Sequence, residues 1–357
     1  MKFLIQQGQG ANFFIRRAWV NSLHRIGEQV YFWNDQQHSV YDVFHELEPD
    51  VFIGATYQLN RAIVTNLLSR PNIKIILYAS HWGTNDVNID TDTYPILIAN
   101  DEEKKLVEQL SSHPGFQHLL CQYSQTQMEK YETHDLWKNL GLTPNGLLLC
   151  ADTTYYYLDK PDEDSKTQIS YIGGRWAYKA SSTEWIDRLA YPSPYKIRIF
   201  GSGWSNVNAV GRCDEETARK HYASTIVCPN VYEKHSLDIF SDINARGYEA
   251  AAVGGGIIIS QDAIGLEEVY EDDEVVKVKT FEEFKYKLDY FIANPEERKP
   301  YVVKACKKTY AKHTGFIRTA TIMDLLGYNK IEQQLIDKAK EEYNTVNEFF
   351  NRENYEQ

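Results

Sequence analysis

Ile257-Ile258-Ile259, preceded by Gly254-Gly255-Gly256, is the stretch that most restricts what this chain folds into. A short unbroken apolar run has no polar face to leave in water, so it reads as a strand covered on both faces, as in a parallel sheet. Just ahead, Asp242, Asn244, Arg246 and Glu249 crowd the first turns of a helix that ends in Ala250-Ala251-Ala252-Val253. Helix, tight glycine turn and buried strand make half of a βαβ unit.

The same grammar recurs along the chain. Short apolar runs at 2–6, 30–33, 51–54 and 73–78 alternate with helical stretches near 11–26, 39–48 and 57–70. Further strands are predicted at 119–122 and 146–150, flanked by helices near 101–111 and 125–139. A charged stretch follows at 158–167, LDKPDEDSKT, and then the pattern restarts at 168–172, 195–200 and 224–228. Strands alternating with helices imply a parallel, doubly wound sheet, so the fold class is α/β. A length of 357 residues suits two such domains.

Composition narrows the function. A net charge of −12 argues against a nucleic-acid or anionic-membrane surface, although Arg16, Arg17, Arg25 and Arg61 could form a local basic face. The apolar start, MKFLI, reads as a strand rather than a signal peptide, and no run is long enough to span a bilayer. Five cysteines, far apart and without a C-x-x-C pair, point to neither a disulfide framework nor a zinc site. A cytoplasmic protein is the simplest expectation. The loop 84–93 holds three aspartates but lacks the glycine and final glutamate of a calcium loop.

In open parallel sheets, ligands sit beyond the carboxyl ends of strands. That rule selects five loops: Gly8-Gln9-Gly10, Ala79-Ser80-His81-Trp82-Gly83, Gly173-Gly174-Arg175 with Lys179, Gly201-Ser202-Gly203-Trp204, and Pro229-Asn230. His81 follows a strand end beside Trp82, a ring suited to stacking on a sugar. Phe13 occupies the place of the third small residue of a dinucleotide fingerprint, so Gly8-x-Gly10 is also readable as a plain tight turn. The helix start near Asn244 favours an anion, and Arg246 adds a bidentate partner for phosphate. Glu249 does not help to bind phosphate, but it suits the hydroxyls of a ribose. Phosphate plus ribose means a nucleotide. The plainer alternatives are a surface helix on which Glu249 pairs with Arg246, and solvated cations at Arg175 and Lys179.

Residues 244–255, N-A-R-G-Y-E-A-A-A-V-G-G, with the three isoleucines and Gly265-Leu266-Glu267-Glu268, resemble the C-terminal half of GT-B glycosyltransferases, particularly the CgeB-like, spore-maturation-type group. The resemblance implies two Rossmann-like domains facing a cleft: an acceptor domain at 1–160, a nucleotide-sugar donor domain at 166–315, and C-terminal helices at 316–357 packing back on the first. Glu249 matches the ribose-binding glutamate of the retaining families, whereas Ser241, with Asp242 beside it, stands where their other acid would be. Arg175 and Lys179 stand where an Arg and a Lys grip the donor diphosphate, and with His81 they form the expected catalytic set. Gly10, Gly174, Gly201, Gly203, Asn230, Asn244, Arg246, Tyr248 and Glu249 complete the expected donor site. The activity implied is transfer of a sugar from a nucleotide-sugar to a hydroxyl. No cofactor and no metal are implied, since the donor side has no evident D-x-D cluster. The acceptor stays open among a saccharide, a protein, a small molecule and a hydroxymethylated DNA base. A nucleotide-sugar epimerase and a noncatalytic sugar-nucleotide-binding protein are the alternatives.

Overall fold

The computed structural model describes residues 1–8, 10–79, 99–129, 134–175, 180–238 and 243–352. The chain divides into two compact units: Met1–Leu148 with Gly315–Ile336, and Leu149–Thr314 with Asp337–Gln357. The passage from the first to the second falls at Leu148, ahead of the charged stretch at 158–167.

Unit 1 is built on β1 (Lys2–Gln6), β2 (Gln29–Trp33), β3 (Val51–Ala55), β4 (Lys74–Tyr78), β5 (Phe116–Cys121) and β6 (Thr143–Gly146). All pairings are parallel, in the order β2-β1-β3-β4-β5-β6. The helices are α1 (Ala11–Arg25), α2 (Val40–Leu47), α3 (Arg61–Leu68), α4 (Asp101–Ser111), α5 (Gln125–Glu129) and α6 (Asp135–Asn139). Ser39, Asn60 and Asn100 cap α2, α3 and α4 through their side chains, satisfying one orphan N–H at each start. Phe3, Leu4, Ile5, Phe52, Ile53, Ile75 and Ile76 are fully buried, as strands covered on both faces require.

Strand order reverses at β1, so the switch point of this sheet lies between β1 and β3. The predicted strand at 146–150 is displaced: β6 is 143–146, with Pro144 inside an edge strand, where the missing N–H costs least. The apolar run after it is buried outside the sheet, with the carbonyl of Leu148 accepting from Arg318 Nε at 2.8 Å.

Unit 2 carries β7 (Thr167–Ile172), β8 (Ile197–Phe200), β9 (Ala209–Gly211), β10 (Thr225–Asn230), β11 (Ile257–Gln261) and β12 (Val276–Val278). Their order is β12-β11-β10-β7-β8-β9, again parallel, and it reverses at β7. The helices are α7 (Ala180–Ala190), α8 (Glu215–Ser224), α9 (Lys234–Asp238), α10 (Ala245–Val253), α11 (Phe281–Ala293) and α12 (Lys299–Lys312). Every residue of β11 is buried, as the isoleucine run demands. The glycines before it have separate reasons. Gly254 closes α10 at φ 74°, and a Cβ on Gly255 would lie 2.3 Å from the carbonyl oxygen of Tyr222.

After α12 the chain returns to unit 1 as α13 (Gly315–Leu325), which packs on α1. Gly315 permits that approach, since a Cβ there would stand 3.0 Å from the carbonyl oxygen of Ala18. The last helix, α14 (Asn329–Arg352), belongs to unit 1 as far as Ile336 and to unit 2 beyond it. Among the described residues, no helix is long and apolar enough to cross a membrane.

Candidate active site

The switch point of unit 2 lies between β7 and β10, and the side chain of Arg246 spans it. Arg246, two residues into α10, is 8% exposed. Its Nε donates to the carbonyl of Ile172, the last residue of β7, at 2.6 Å. Its Nη1 donates to the carbonyl of Val231 at 3.2 Å and to Asn230 Oδ1 at 3.5 Å, at the end of β10. The guanidinium carbon lies 4.4 Å from the centroid of the Tyr171 ring, so the plane is held by stacking as well as by hydrogen bonds. Arg246 therefore is not paired with Glu249; it ties the two strand ends together.

One nitrogen is left over by this arrangement. Nη2 faces Gly173, where a Cβ would lie only 2.2 Å from it and 3.1 Å from the Tyr171 hydroxyl. That hydroxyl is fully buried and has no hydrogen-bond partner among the described residues. Burial raises the Tyr171 pKa, with the Arg246 charge acting against the rise. A neutral phenol and a cation thus meet at the gap left by the absent side chain of Gly173.

Asn244 stands at the N-cap of α10 but does not cap it. Its Nδ2 instead donates to the carbonyl of Val231 at 3.1 Å, the acceptor it shares with Arg246, and its Oδ1 is buried without a partner among the described residues. The positive end of α10 is therefore not closed by its own cap residue, which keeps it suited to an external anion. Gly247 lets the helix approach β10, with a Cβ there meeting Asn230 Nδ2 at 3.0 Å.

The other predicted site residues separate into those at this gap and those behind it. Gly174 follows Gly173 and is half-buried. Arg175 is exposed, and its Nε donates to Asp187 Oδ2 of α7 at 2.9 Å. Gly201 and Gly203 adopt φ 136° and 84°. Sequence alone predicts glycines that let a ligand approach; the structure gives them a different neighbour. A Cβ on Gly201 would meet the Gly173 carbonyl oxygen at 2.3 Å, and one on Gly203 the Arg175 carbonyl oxygen at 2.4 Å. The two loops are laced by Gly173 N–H to Phe200 O, Arg175 N–H to Ser202 O and Trp204 Nε1 to Gly173 O, each 2.8 Å.

Asn230 is buried, and its Nδ2 donates to the Tyr232 hydroxyl at 2.7 Å, so it supports the site from beneath. Tyr248 is fully buried between Tyr270 and His313, with ring centroids at 6.0 and 5.3 Å, and lies in the core. Glu249, on α10, is half-buried, and its charge acts on Tyr222 and Cys213. Burial, then the charges of Asp214, Glu215 and Glu249, push the Cys213 thiol up to about 11. Gly10 is in unit 1, at the start of α1, with φ 55°. His81 and Lys179 lie outside the described residues.

Sequence reasoning missed Tyr171 and the two carbonyls that hold Arg246. An aromatic ring one residue before the end of the strand that leads into Gly173-Gly174 was the available signal for Tyr171.

Residues 179–324, which include β8, β10, α10 and β11, match the family described as "Glycosyl transferase-like". Among solved structures, an alpha-glucosyltransferase in complex with UDP-glucose and DNA containing an abasic site is 12% identical, with a TM-score of 0.61 over 92% of this chain and 99% of that one. T4 phage BGT in complex with UDP and Mn2+ is 13% identical, with a TM-score of 0.56 over 91% and 99%. The trehalose-6-phosphate synthase OtsA is 10% identical, with a TM-score of 0.50 over 95% and 99%. Residues 179–324 form a glycosyltransferase-like domain, and the chain has a GT-B fold. No curated protein sequence matches it significantly. The matched stretch contains Arg246, the start of α10 and Glu249, while Ile172 and Tyr171, which help to hold Arg246, lie just ahead of it.

Proposed function

We propose that the glycosyltransferase binds a nucleotide-sugar at the carboxyl ends of β7 and β10 and transfers the sugar to a hydroxyl of its acceptor. The observation that carries this reading is the Arg246 clamp, fixed by two carbonyls, with Nη2 turned to the Gly173 gap beside the buried Tyr171 hydroxyl. Both groups donate hydrogen bonds, and a phosphate only accepts. The start of α10 adds N–H groups and a positive dipole end at the same place. Charge on the departing nucleoside diphosphate is met by groups already in position, which is electrostatic stabilisation of the transition state.

Glu249, further along α10, takes the ribose hydroxyls. Arg175 and Lys179 add phosphate contacts, and the Arg175 to Asp187 ion pair is an exposed one worth about 0–1 kcal/mol, so a phosphate displaces it readily. His81 is the proposed contact to the reacting sugar. We take the reaction to be metal-independent, because cations and helix N–H groups of the chain supply the charge that a metal would. Uridine is the base favoured first, since the similar solved structures hold UDP or UDP-glucose.

Calorimetric titration with UDP, GDP and ADP tests the reading, followed by UDP release from UDP-glucose with and without a chelator. Binding of UDP that weakens by about 1.5–3 kcal/mol in Arg175→Ala is the expected result, the range for hydrogen bonds to charged groups. Absence of binding to every nucleoside diphosphate would refute it. An epimerase would instead convert the donor sugar without releasing UDP. A hydroxymethylated DNA base as acceptor draws support from the alpha-glucosyltransferase solved with DNA. Against it stand the net charge of −12 and the burial of Arg16, which takes one cation out of the expected basic face.

A further inference from the structure

One edge of the unit 2 sheet carries a charge opposite to that of the chain. Between Asp187 and Asp214 the sequence holds Arg188, Lys196, Arg198 and Arg212 and no aspartate or glutamate, although acids outnumber lysines and arginines 50 to 38 in the whole chain. Arg188 is turned to Glu282, 3.4 Å from its Nη2. The other three cations are exposed, and among the described residues no carboxylate forms an ion pair with them.

This stretch builds β8, the turn after it and the edge strand β9. Burial, then the charge of Arg198, lowers the pKa of His221 on α8, and Lys196 acts in the same direction, so both cations stand beside that helix. The acid that opposes them there, Asp162, is engaged locally: its Oδ2 accepts from the Ser165 hydroxyl at 2.6 Å.

The same stretch leaves apolar side chains uncovered. Val207 is 79% exposed, Tyr191 70% and Val210 56%. Asn208 Nδ2, next to Val207, donates at 2.5 Å to the carbonyl of Ala190, next to Tyr191, and Val210 lies in β9 itself. The carbonyl of Asn208 accepts from Ile199 N–H at 3.1 Å, which sets Val207 beside the strand that carries Arg198. Single exposed apolar side chains are ordinary, but a group of them rimmed by unpaired cations marks an interaction surface.

Charge selects the partner. In a two-fold pair of copies this edge faces itself, cation against cation, with no carboxylate to answer. A nucleic acid neutralises the cations but gives the valines nothing to bury against. A bilayer with anionic headgroups meets both needs, because the headgroups attract Lys196, Arg198 and Arg212 while Val207, Val210 and Tyr191 enter the boundary with the acyl chains. The net charge of −12 does not oppose this, since screening limits the attraction to charges within about 8 Å of the surface at physiological salt.

We infer that the β8–β9 edge of unit 2 is a docking surface for a membrane that contains anionic lipid. The inference is independent of the nucleotide-sugar reading.

Flotation of the whole chain with vesicles of pure phosphatidylcholine, or of phosphatidylcholine and phosphatidylglycerol in equal parts, tests it. The wild type is expected to float with the mixed vesicles at low salt, to be released by added salt, and to stay behind with pure phosphatidylcholine. Lys196→Ala combined with Arg198→Ala weakens binding about thirtyfold, the loss expected for two basic side chains near an anionic surface. Val207→Asn combined with Val210→Asn also weakens it, with the salt dependence of the wild type retained. All four side chains are exposed, so melting temperature and UDP affinity are expected to stay unchanged. No binding to the mixed vesicles at low salt, or wild-type binding in both double variants, overturns the inference. So does a dimer in sedimentation that the valine variant dissolves, or a preference for a DNA duplex over the mixed vesicles.

Discussion

Arg246 and Ile172 are joined by a 2.6 Å hydrogen bond from a guanidinium nitrogen to a strand-end carbonyl, and that bond decides what the start of α10 is able to do. The carbonyl belongs to β7 and the helix follows β10, so the cation is fixed at the switch point of the sheet rather than left to solvent. Replacing Arg246 with Ala takes the guanidinium from the carbonyl of Ile172 and leaves that of Val231 to Asn244 alone, at a cost of about 1–3 kcal/mol in stability. Nucleoside-diphosphate affinity is expected to fall in parallel. Arg246→Lys keeps the charge and loses the fork, so urea midpoints and calorimetric titration of the two variants separate charge from geometry.

Gly173 and Gly201 test two different meanings of glycine. Gly173→Ala pushes on Arg246 Nη2, the end of a flexible side chain, so UDP affinity is expected to drop with a small change in melting temperature. Gly201→Ala meets the backbone of Gly173 at φ 136°, and the strain is expected to cost about 1–3 kcal/mol in stability. Equal effects of the two substitutions on melting would contradict this division.

Glu249→Gln is expected to weaken ribonucleotide binding while leaving thermal stability nearly unchanged. Arg246 does not depend on Glu249, since its bonds go to Ile172, Val231 and Asn230. Wild-type protein should also bind 2′-deoxy donors poorly. Competition between UDP and 2′-deoxy-UDP checks both statements.

His134 supplies a pH dependence. Burial, with the charge of Lys138 acting in the same direction, lowers its pKa to about 4, and both ring nitrogens lack hydrogen-bond partners among the described residues. The unfolded chain protonates His134 near 6.5 and the folded one only near 4, so the unfolded state binds more protons between those values. Its contribution to stability is complete above about 6.5 and is lost as pH falls towards 4. Urea midpoints measured from pH 7 to pH 4.5 should fall less steeply in His134→Phe than in the wild type.

Most strands of both sheets were legible because a strand buried on both faces needs an unbroken apolar run. The run at 147–150 misled for the same reason: it is buried outside the sheet, while the edge strand is the polar 143–146. Periodicity reports burial, and sheet pairing is only one way to be buried.

Spacing along the chain was enough for the α/β class, the parallel strands and the placement of Asn244, Arg246 and Glu249 at and just after one helix start, because spacing decides local structure. Tertiary structure decided what each of them touches. Asn230 and Tyr248 turned inward, Gly201 and Gly203 made room for a neighbouring loop, and Arg16 left the surface to close a switch point. Those outcomes depend on carbonyls and rings brought close from distant parts of the chain, and a polar side chain that finds such partners is held inside the protein rather than by water.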